Sequence, residues 1–109
     1  PMANHRLIVF TNPKEGREQD FRDWYVNTHL AEVSNLDGFI SGQLYTLATP
    51  VAEGGHRHMA VYEIEEGRLG EAQQALGGAL KGGTLNMTDA FGPGQAALWW
   101  QEEAPAVTR

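Results

Sequence analysis

The sequence predicts a small α+β protein in which two helices cover one face of a four-stranded antiparallel sheet. Three observations lead to this prediction. They are four short apolar stretches typical of strands, two longer stretches with a helical repeat of apolar residues, and turn sequences rich in Gly, Asn and Pro between them. Along the chain these elements follow the order βαββαβ, which is the ferredoxin-like arrangement.

The first strand and the first helix are clearly marked. Residues 6–11 contain an unbroken apolar run, Leu-Ile-Val-Phe, that indicates a strand buried on both faces. After a turn at residues 12–16, a helix is expected to begin near Arg17, because acidic residues then lie in its first turn, where the helix dipole favours them. Residues 35–38, Asn-Leu-Asp-Gly, are a turn sequence that ends this helix.

The second half of the chain supplies two strands, a helix and a last strand. The expected ranges are 39–48 and 57–65 for the strands, 68–81 for the helix and 95–101 for the last strand. Gly77 and Gly78 weaken this helix, each at a cost of roughly 1 kcal/mol relative to alanine. The connection over residues 84–94 is long for a compact domain, which makes it a candidate lid.

Composition restricts the class of protein. The 109 residues suit a single domain, with residues 1–4 and 102–109 expected to fray. The net charge of −6 and the scattered basic residues disfavour nucleic-acid binding. The lack of cysteine excludes disulfides and thiolate metal ligands. No stretch approaches the roughly 18 apolar residues of a membrane span and no basic-then-apolar leader is present, so we expect a cytoplasmic protein.

The predicted sheet is expected to dimerise. Two short helices cover only one of its faces, yet the first, second and last strands carry large apolar residues on both sides, notably Trp99 and Trp100. A contiguous apolar patch of that size is rare on a soluble monomer. We therefore predict a homodimer in which the open sheet faces of two copies meet.

One face of the first helix carries the residues of greatest functional interest. At the helical repeat this face comprises Phe21, Trp24, Tyr25, Thr28, His29 and Val33. Such a helix either packs as an ordinary core element or covers a cavity with an imidazole at its edge. A stripe of this kind is more often core than substrate pocket.

The first helix and the turn after it resemble a known family. The pattern Phe21-x-x-Trp24-Tyr25-x-x-x-His29-Leu30, followed by Leu36-Asp37-Gly38-Phe39, is similar to the EthD-like group of the dimeric α+β barrel superfamily. The family often has a small residue and a proline after the histidine, where this chain has Leu30-Ala31. The resemblance implies a ligand pocket between sheet and helices in each subunit. It also implies activities such as cofactor-free cyclisation, isomerisation or monooxygenation of aromatic or polyketide-like molecules.

His29 and Tyr45 are the candidate catalytic residues. An imidazole titrates near neutral pH and exchanges a proton without a metal, although a structural histidine that donates to a backbone carbonyl is the alternative. Tyr45 lies on a predicted strand next to that of Tyr62, and both phenols would orient a ligand oxygen if they point to the helix side. Tyrosines that only fill the sheet face are the alternative. His58 is expected at a strand end on the surface.

The substrate-binding candidates are aromatic residues and one acid in the long connection. They are Phe21, Trp24, Tyr25, Tyr62, Asp89, Phe91 and Trp99. No metal site is predicted, because His29 has only Glu32 at i+3 and no ligand at i+4. Haem would be supported by His29 alone, and no cofactor is expected.

The function that these residues favour is proton transfer on a hydrophobic small molecule, as in a cofactor-independent cyclase, isomerase or lyase with His29 as general acid or base. A second interpretation is cofactor-independent monooxygenation, in which the base forms a carbanion that reacts with dioxygen. A third is a dimer that binds a small ligand without catalysis.

Overall fold

The predicted order of elements is present in the structure, a computed structural model that describes residues 3–109. Four strands form a single sheet: β1 (Ala3–Thr11), β2 (Phe39–Thr46), β3 (His58–Glu65) and β4 (Ala96–Gln101). Their spatial order is β2-β3-β1-β4, and every neighbouring pair is antiparallel. The predicted α+β, ferredoxin-like fold is confirmed.

The helical layer consists of an interrupted first helix and a continuous second one. The first helix runs through α1 (Glu18–Trp24), a π-helical segment (Tyr25–His29) and α2 (Leu30–Ser34). The second, α3 (Leu69–Gly82), ends at Gly83, whose φ of 67° is the left-handed conformation that favours glycine at a helix C-terminus. Both helices contribute to the same buried core.

The π-helical segment aligns the inward face of the first helix. Phe21, Tyr25, His29 and Val33 recur every four residues, whereas an α-helix has about 3.6 residues per turn, so this repeat drifts around a uniform helix. The wider turn at Tyr25–His29 counters the drift. As a result Phe21, Tyr25 and Val33 each keep at most 1 % of their surface exposed. The apolar pattern alone predicts a uniform α-helix here, because a single wide turn leaves no mark in composition.

The strand register divides the sheet into a helix-facing side and an open side. Leu7 on β1 pairs with Tyr62 on β3 and with Trp99 on β4, and all three lie on the helix-facing side. The core is on this side, and its buried members include Phe21, Tyr25, Val33, Phe39, Ala60, Ile64, Ala72 and Ala90.

The open side of the sheet carries apolar residues that the helices do not cover. Ile8 on β1 pairs with Val61 on β3 and with Leu98 on β4. Leu98 is 46 % exposed and Trp100, on the same side, is 50 % exposed. The exposed apolar residues on this side are the feature from which the homodimer was predicted. The homodimer itself stays a prediction.

The N-terminal boundary differs from the sequence prediction. Ala3 and Asn4 belong to β1 instead of fraying, and the Asn4 carbonyl oxygen accepts a hydrogen bond of 2.8 Å from the Glu102 amide. The prediction was wrong there because backbone hydrogen bonds hold the N-terminal residues in the sheet. The side chains of these residues show no strand pattern from which this could be predicted. Residues 1 and 2 lie outside the described residues, and residues 102–109 are exposed and form neither helix nor strand. Within residues 3–109, no helix has the length and apolar character needed to span a membrane.

Candidate ligand-binding site

A cavity of about 140 Å³ lies under the π-helical segment, on the helix-facing side of the sheet. Its floor comes from β1, β3 and β4, and its walls come from the first helix, α3 and the connection that follows α3. The lining is apolar except for Tyr25, His29, Tyr62 and Gln95. Mostly apolar cavities with a few converging polar groups are the usual form of small-molecule sites.

His29 forms one wall of this cavity. Its ring stacks on the Trp24 ring with centroids 4.2 Å apart. Its Nδ1 atom is buried and has no hydrogen-bond partner in the described part of the chain. Burial lowers the pKa of His29 to about 4, against a smaller opposing effect of the Glu32 carboxylate. The imidazole is therefore neutral near pH 7, and its Nδ1 atom has no hydrogen-bond partner among the described residues.

Tyr62 contributes a second unpaired polar atom. Its hydroxyl is buried without a partner among residues 3–109, and burial raises its pKa, so that the phenol stays protonated. Gly42 leaves room for the ring, because a Cβ added there would lie 3.0 Å from Tyr62 Cδ1. The His29 and Tyr62 rings are nearly perpendicular, with centroids 6.4 Å apart. Unpaired buried polar atoms are uncommon in folded proteins, and here two belong to residues that line one apolar space.

Aromatic rings surround His29. Tyr25 and Phe91 line the cavity, and the Tyr25 ring lies 5.4 Å from His29. Trp24 stacks behind His29 and contacts Phe91 edge-on at 5.0 Å, without lining the cavity itself. Burial raises the pKa of Tyr25 to about 12, so this phenol is also protonated at neutral pH. The structure therefore brings together four of the residues proposed from sequence: Tyr25, His29, Tyr62 and Phe91.

The connection between α3 and β4 is fastened to the first helix. Trp24 Nε1 donates a hydrogen bond of 2.6 Å to the Asn86 carbonyl oxygen. The Asn86 backbone and side-chain amides donate to the two Glu32 carboxylate oxygens at 3.0 and 2.7 Å. Met87 and Gln95 of this connection line the cavity. Sequence reasoning missed both, because neither residue type in that context marks a site.

Asp89, in the same connection, does not reach the cavity. Its carboxylate forms an ion pair of 3.0 Å with Arg17 at the start of the first helix, and its side chain is 80 % exposed. The structure thus places this predicted substrate-binding residue in a surface contact that holds the connection.

Tyr45 lies on the other side of the sheet from Tyr62. It pairs with Met59 and faces the open side, where it is 44 % exposed. The cause is a register shift in β2 between Phe39 and Ser41. An extra residue in one strand reverses the alternation of side chains, so Phe39 is buried among the core while Tyr45 points away from it. The prediction that Tyr45 shares a site with His29 was wrong.

His58 is a second partly buried histidine, and it lies at the other end of the first helix. The sequence predicts a surface position, but its ring stacks on Phe21 at 4.9 Å, and neither ring nitrogen has a partner within the described chain. Burial, with a further effect of Arg57, lowers the pKa of His58. Phe21 therefore packs against His58 and does not line the cavity, and Trp99 lines an adjoining groove beside α3. Over residues 3–109, no group of three or more acidic or histidine side chains is arranged to hold a metal ion.

The lowered histidine pKa predicts that the protein loses stability in mild acid. Between pH 6.5 and about 4 the unfolded chain binds a proton on His29 that the folded chain does not, so the free energy of unfolding falls as pH falls through this window. We expect His29 to lower the free energy of unfolding by about 2 kcal/mol across this window. This is less than the free energy that corresponds to the whole pKa shift, because the ring is partly solvated. Urea unfolding at pH 7 and pH 4.5 measures it. His29→Phe should show a smaller loss than the wild type, and equal losses would contradict the assignment.

Comparison with known proteins identifies the fold. The chain is similar to the heme-degrader MhuD from Mycobacterium tuberculosis, whose structure has two hemes bound in its active site. The identity is 20 %, the TM-score is 0.63, and the match covers 94 % of this chain and 99 % of MhuD. It is also similar to an ethyl tert-butyl ether D (EthD) family protein from Bacillus halodurans C-125, with 17 % identity, a TM-score of 0.53, and coverage of 93 % and 99 %.

No protein-family profile and no curated protein sequence matches the chain. The two structural likenesses show the fold, and they confirm the architecture implied by the resemblance to EthD-like dimeric α+β barrels.

Proposed function

We propose that this chain, which shares its fold with MhuD and an EthD family protein, is a small enzyme that transfers protons on a hydrophobic, oxygen-bearing molecule without a cofactor. The observation that supports it is the pair of buried, unpaired polar atoms, His29 Nδ1 and Tyr62 Oη, on residues lining one apolar cavity. Such atoms cost stability unless a ligand or water satisfies them.

His29 would accept the proton. In the tautomer that carries hydrogen on Nε2, the Nδ1 atom is a hydrogen-bond acceptor and a base. The imidazole is neutral at physiological pH because burial lowers its pKa to about 4, so the base form is always present. The same low pKa makes the neutral ring a weak base and the protonated ring a strong acid, so removal of the proton would depend on stabilising the charge left on the substrate, while its return would be fast. Isomerisation, elimination and cyclisation all need a proton to be removed from one carbon or oxygen atom and returned to the substrate.

Tyr62 would stabilise the charge that develops when the proton leaves. Its raised pKa keeps the phenol protonated, so it donates a hydrogen bond to an enolate or phenolate oxygen. The apolar surroundings strengthen that bond, because little water competes for it. A carbonyl compound with an acidic neighbouring C–H, or a phenol, fits both groups at once.

Two other reactions use the same base. If the carbanion meets dioxygen, the enzyme is a cofactor-independent monooxygenase. If the ligand is haem, a neutral imidazole with an unpaired nitrogen is the form that coordinates iron, and this second candidate is favoured by the His29 geometry together with the hemes held by MhuD. In that case haem would be the substrate.

One experiment with three arms separates these functions. The carbon acid 2-tetralone is incubated with the protein in D₂O, and NMR follows deuterium incorporation beside its carbonyl. Catalysed exchange supports proton transfer, and dioxygen uptake during the same incubation indicates oxygenation. A hemin titration in which the wild type shifts the Soret band and His29→Phe does not would favour the haem reaction. Binding of 2-tetralone with neither exchange nor oxygen uptake would leave a non-catalytic binding protein.

We also propose that the functional unit is a homodimer formed through the open side of the sheet. The support is the apolar character of that side, with Trp100 half exposed at its edge strand. Size-exclusion chromatography with light scattering should give a dimer for the wild type and a monomer for Trp100→Glu. Val26→Glu is the matched control, because Val26 is 48 % exposed but lies on the first helix, so it should stay dimeric. A monomeric wild type would contradict the proposal.

A further inference from the structure

A second hollow adjoins the cavity beside His29. It is a groove of about 320 Å³ between α3 and the helix-facing side of the sheet, and it ends at Trp99 on β4. The groove and the cavity share four lining residues, Leu7, Leu76, Leu80 and Ala97, so they lie side by side. The cavity end is lined by His29 and Tyr62, the residues that carry the unpaired polar atoms, whereas the groove end is mostly apolar.

The groove runs along one side of α3, whose start packs tightly against the rest of the protein. Ala72 is fully buried, and a Cβ added at Gly38 would lie 2.9 Å from the Ala72 Cβ. Two turns later Leu80 is 52 % exposed although it faces the sheet side of the helix. Ala79, in the same turn, is buried, so only the side of α3 that carries Leu76 and Leu80 borders the open groove.

Gly77 adds no side chain to this groove. It lines the groove, and a Cβ added at this position would meet no atom within 4 Å. Glycine in the middle of a helix is unfavourable relative to alanine. Gly78, the next residue, is equally unobstructed and, like Gly77, exposed, but it lines no part of the groove. The two positions thus differ in the direction they face, which gives a matched pair.

We propose that the groove binds the apolar tail of the same ligand whose oxygen-bearing head contacts His29 and Tyr62. Gly77 would determine specificity because it has no side chain to block the tail. The inference rests on the proposed function for the position of the head. The substrate class is then an elongated amphipathic molecule, with one hydroxyl or carbonyl at the end of a long apolar body. A compact molecule would fill the cavity and leave the groove empty.

A homologous series of 4-alkylphenols tests the tail. Phenol, 4-propylphenol, 4-hexylphenol and 4-nonylphenol present one head group and tails of increasing length, and calorimetry gives each dissociation constant. Burial of each added methylene should tighten binding to the wild type about fourfold. In Gly77→Leu the affinity should rise only for the shortest tails, because the leucine side chain occupies the groove that longer tails would enter. In Gly78→Leu the affinity should rise with tail length as in the wild type.

The outcomes are distinct. Leucine is a better helix former than glycine, so both variants should melt no lower than the wild type. If Gly77→Leu does not fold, Gly77→Met serves as the flexible substitute. The proposal is overturned if tail length does not affect binding to the wild type, or if the two leucine variants behave alike. His29→Phe tests the head separately: unchanged affinity for phenol would remove support for the proposed function while leaving the tail groove in place.

Discussion

Replacing His29 by phenylalanine should lower the rate of deuterium exchange into 2-tetralone by about 10²- to 10⁴-fold, the usual contribution of a positioned acid–base group. Phenylalanine keeps an aromatic ring to stack on Trp24, where the native ring centroids are 4.2 Å apart, and removes only the titrating nitrogens. It also removes the buried, unpaired Nδ1 atom. The free energy of unfolding at pH 7 should therefore be unchanged or slightly raised. Exchange rates and urea unfolding of the same samples test both statements.

His58→Phe is the control for this result. His58 is also partly buried with unpaired nitrogens, but it stacks on Phe21 and lies outside the cavity lining. The same chemical change there should leave the exchange rate within a factor of about two, a free-energy difference below 0.5 kcal/mol. Equal losses of activity in the two variants would mean that a buried histidine supports the fold in general. Unfolding of His29→Phe would indicate a structural role for that ring.

Gly38→Ala should cause a large loss of stability although it adds only one methyl group. Gly38 has a φ of 87°, which an alanine adopts only with strain. The added Cβ would also lie 2.9 Å from the backbone nitrogen of Ala72 and from the carbonyl oxygen of Arg68. Because these are backbone atoms of α3 and the residue before it, they cannot move aside as a flexible side chain would. We expect a loss of roughly 2–5 kcal/mol in the free energy of unfolding, from strain and overpacking together.

Gly67→Ala separates the two causes of that loss. Gly67 has a similar φ of 81°, but a Cβ there would meet nothing within 4 Å. It should cost only the backbone strain, about 1–2 kcal/mol. Thermal and urea unfolding of both variants therefore isolate the contact between the start of β2 and α3. Equal losses in Gly38→Ala and Gly67→Ala would show that the close approach contributes nothing.

Much of the fold was predictable from local patterns. The apolar run in β1, the acidic first turn of α1 and the glycines after α3 mark where those elements begin or end, and each signal depends only on neighbours in the chain. The helical repeat also placed Tyr25, His29 and Val33 on one inward face, because side-chain direction follows backbone periodicity. The π-helical turn that sharpens this alignment was not predictable, since it depends on the packing of the whole helix on the sheet.

The lining of the cavity beside His29 was predictable in part. His29 and Tyr62 could be proposed from sequence because the helical repeat places His29 on the apolar face of the first helix and the strand pattern places Tyr62 within the sheet. Met87 and Gln95 could not, because their loop approaches the first helix through contacts between residues far apart in the chain, such as Asn86 with Glu32.

The sequence by itself determined the elements, their order and the inward face of the first helix, because these follow from periodicity along one segment. Only the tertiary structure decided which tyrosine faces the helices. One extra residue near the start of β2 reverses the alternation that the sequence shows, and this directs Tyr45 away from the core while Tyr62 lies under His29. Tertiary structure likewise decided that space remains beneath the helices, because a cavity depends on how closely two layers approach, which no single segment encodes.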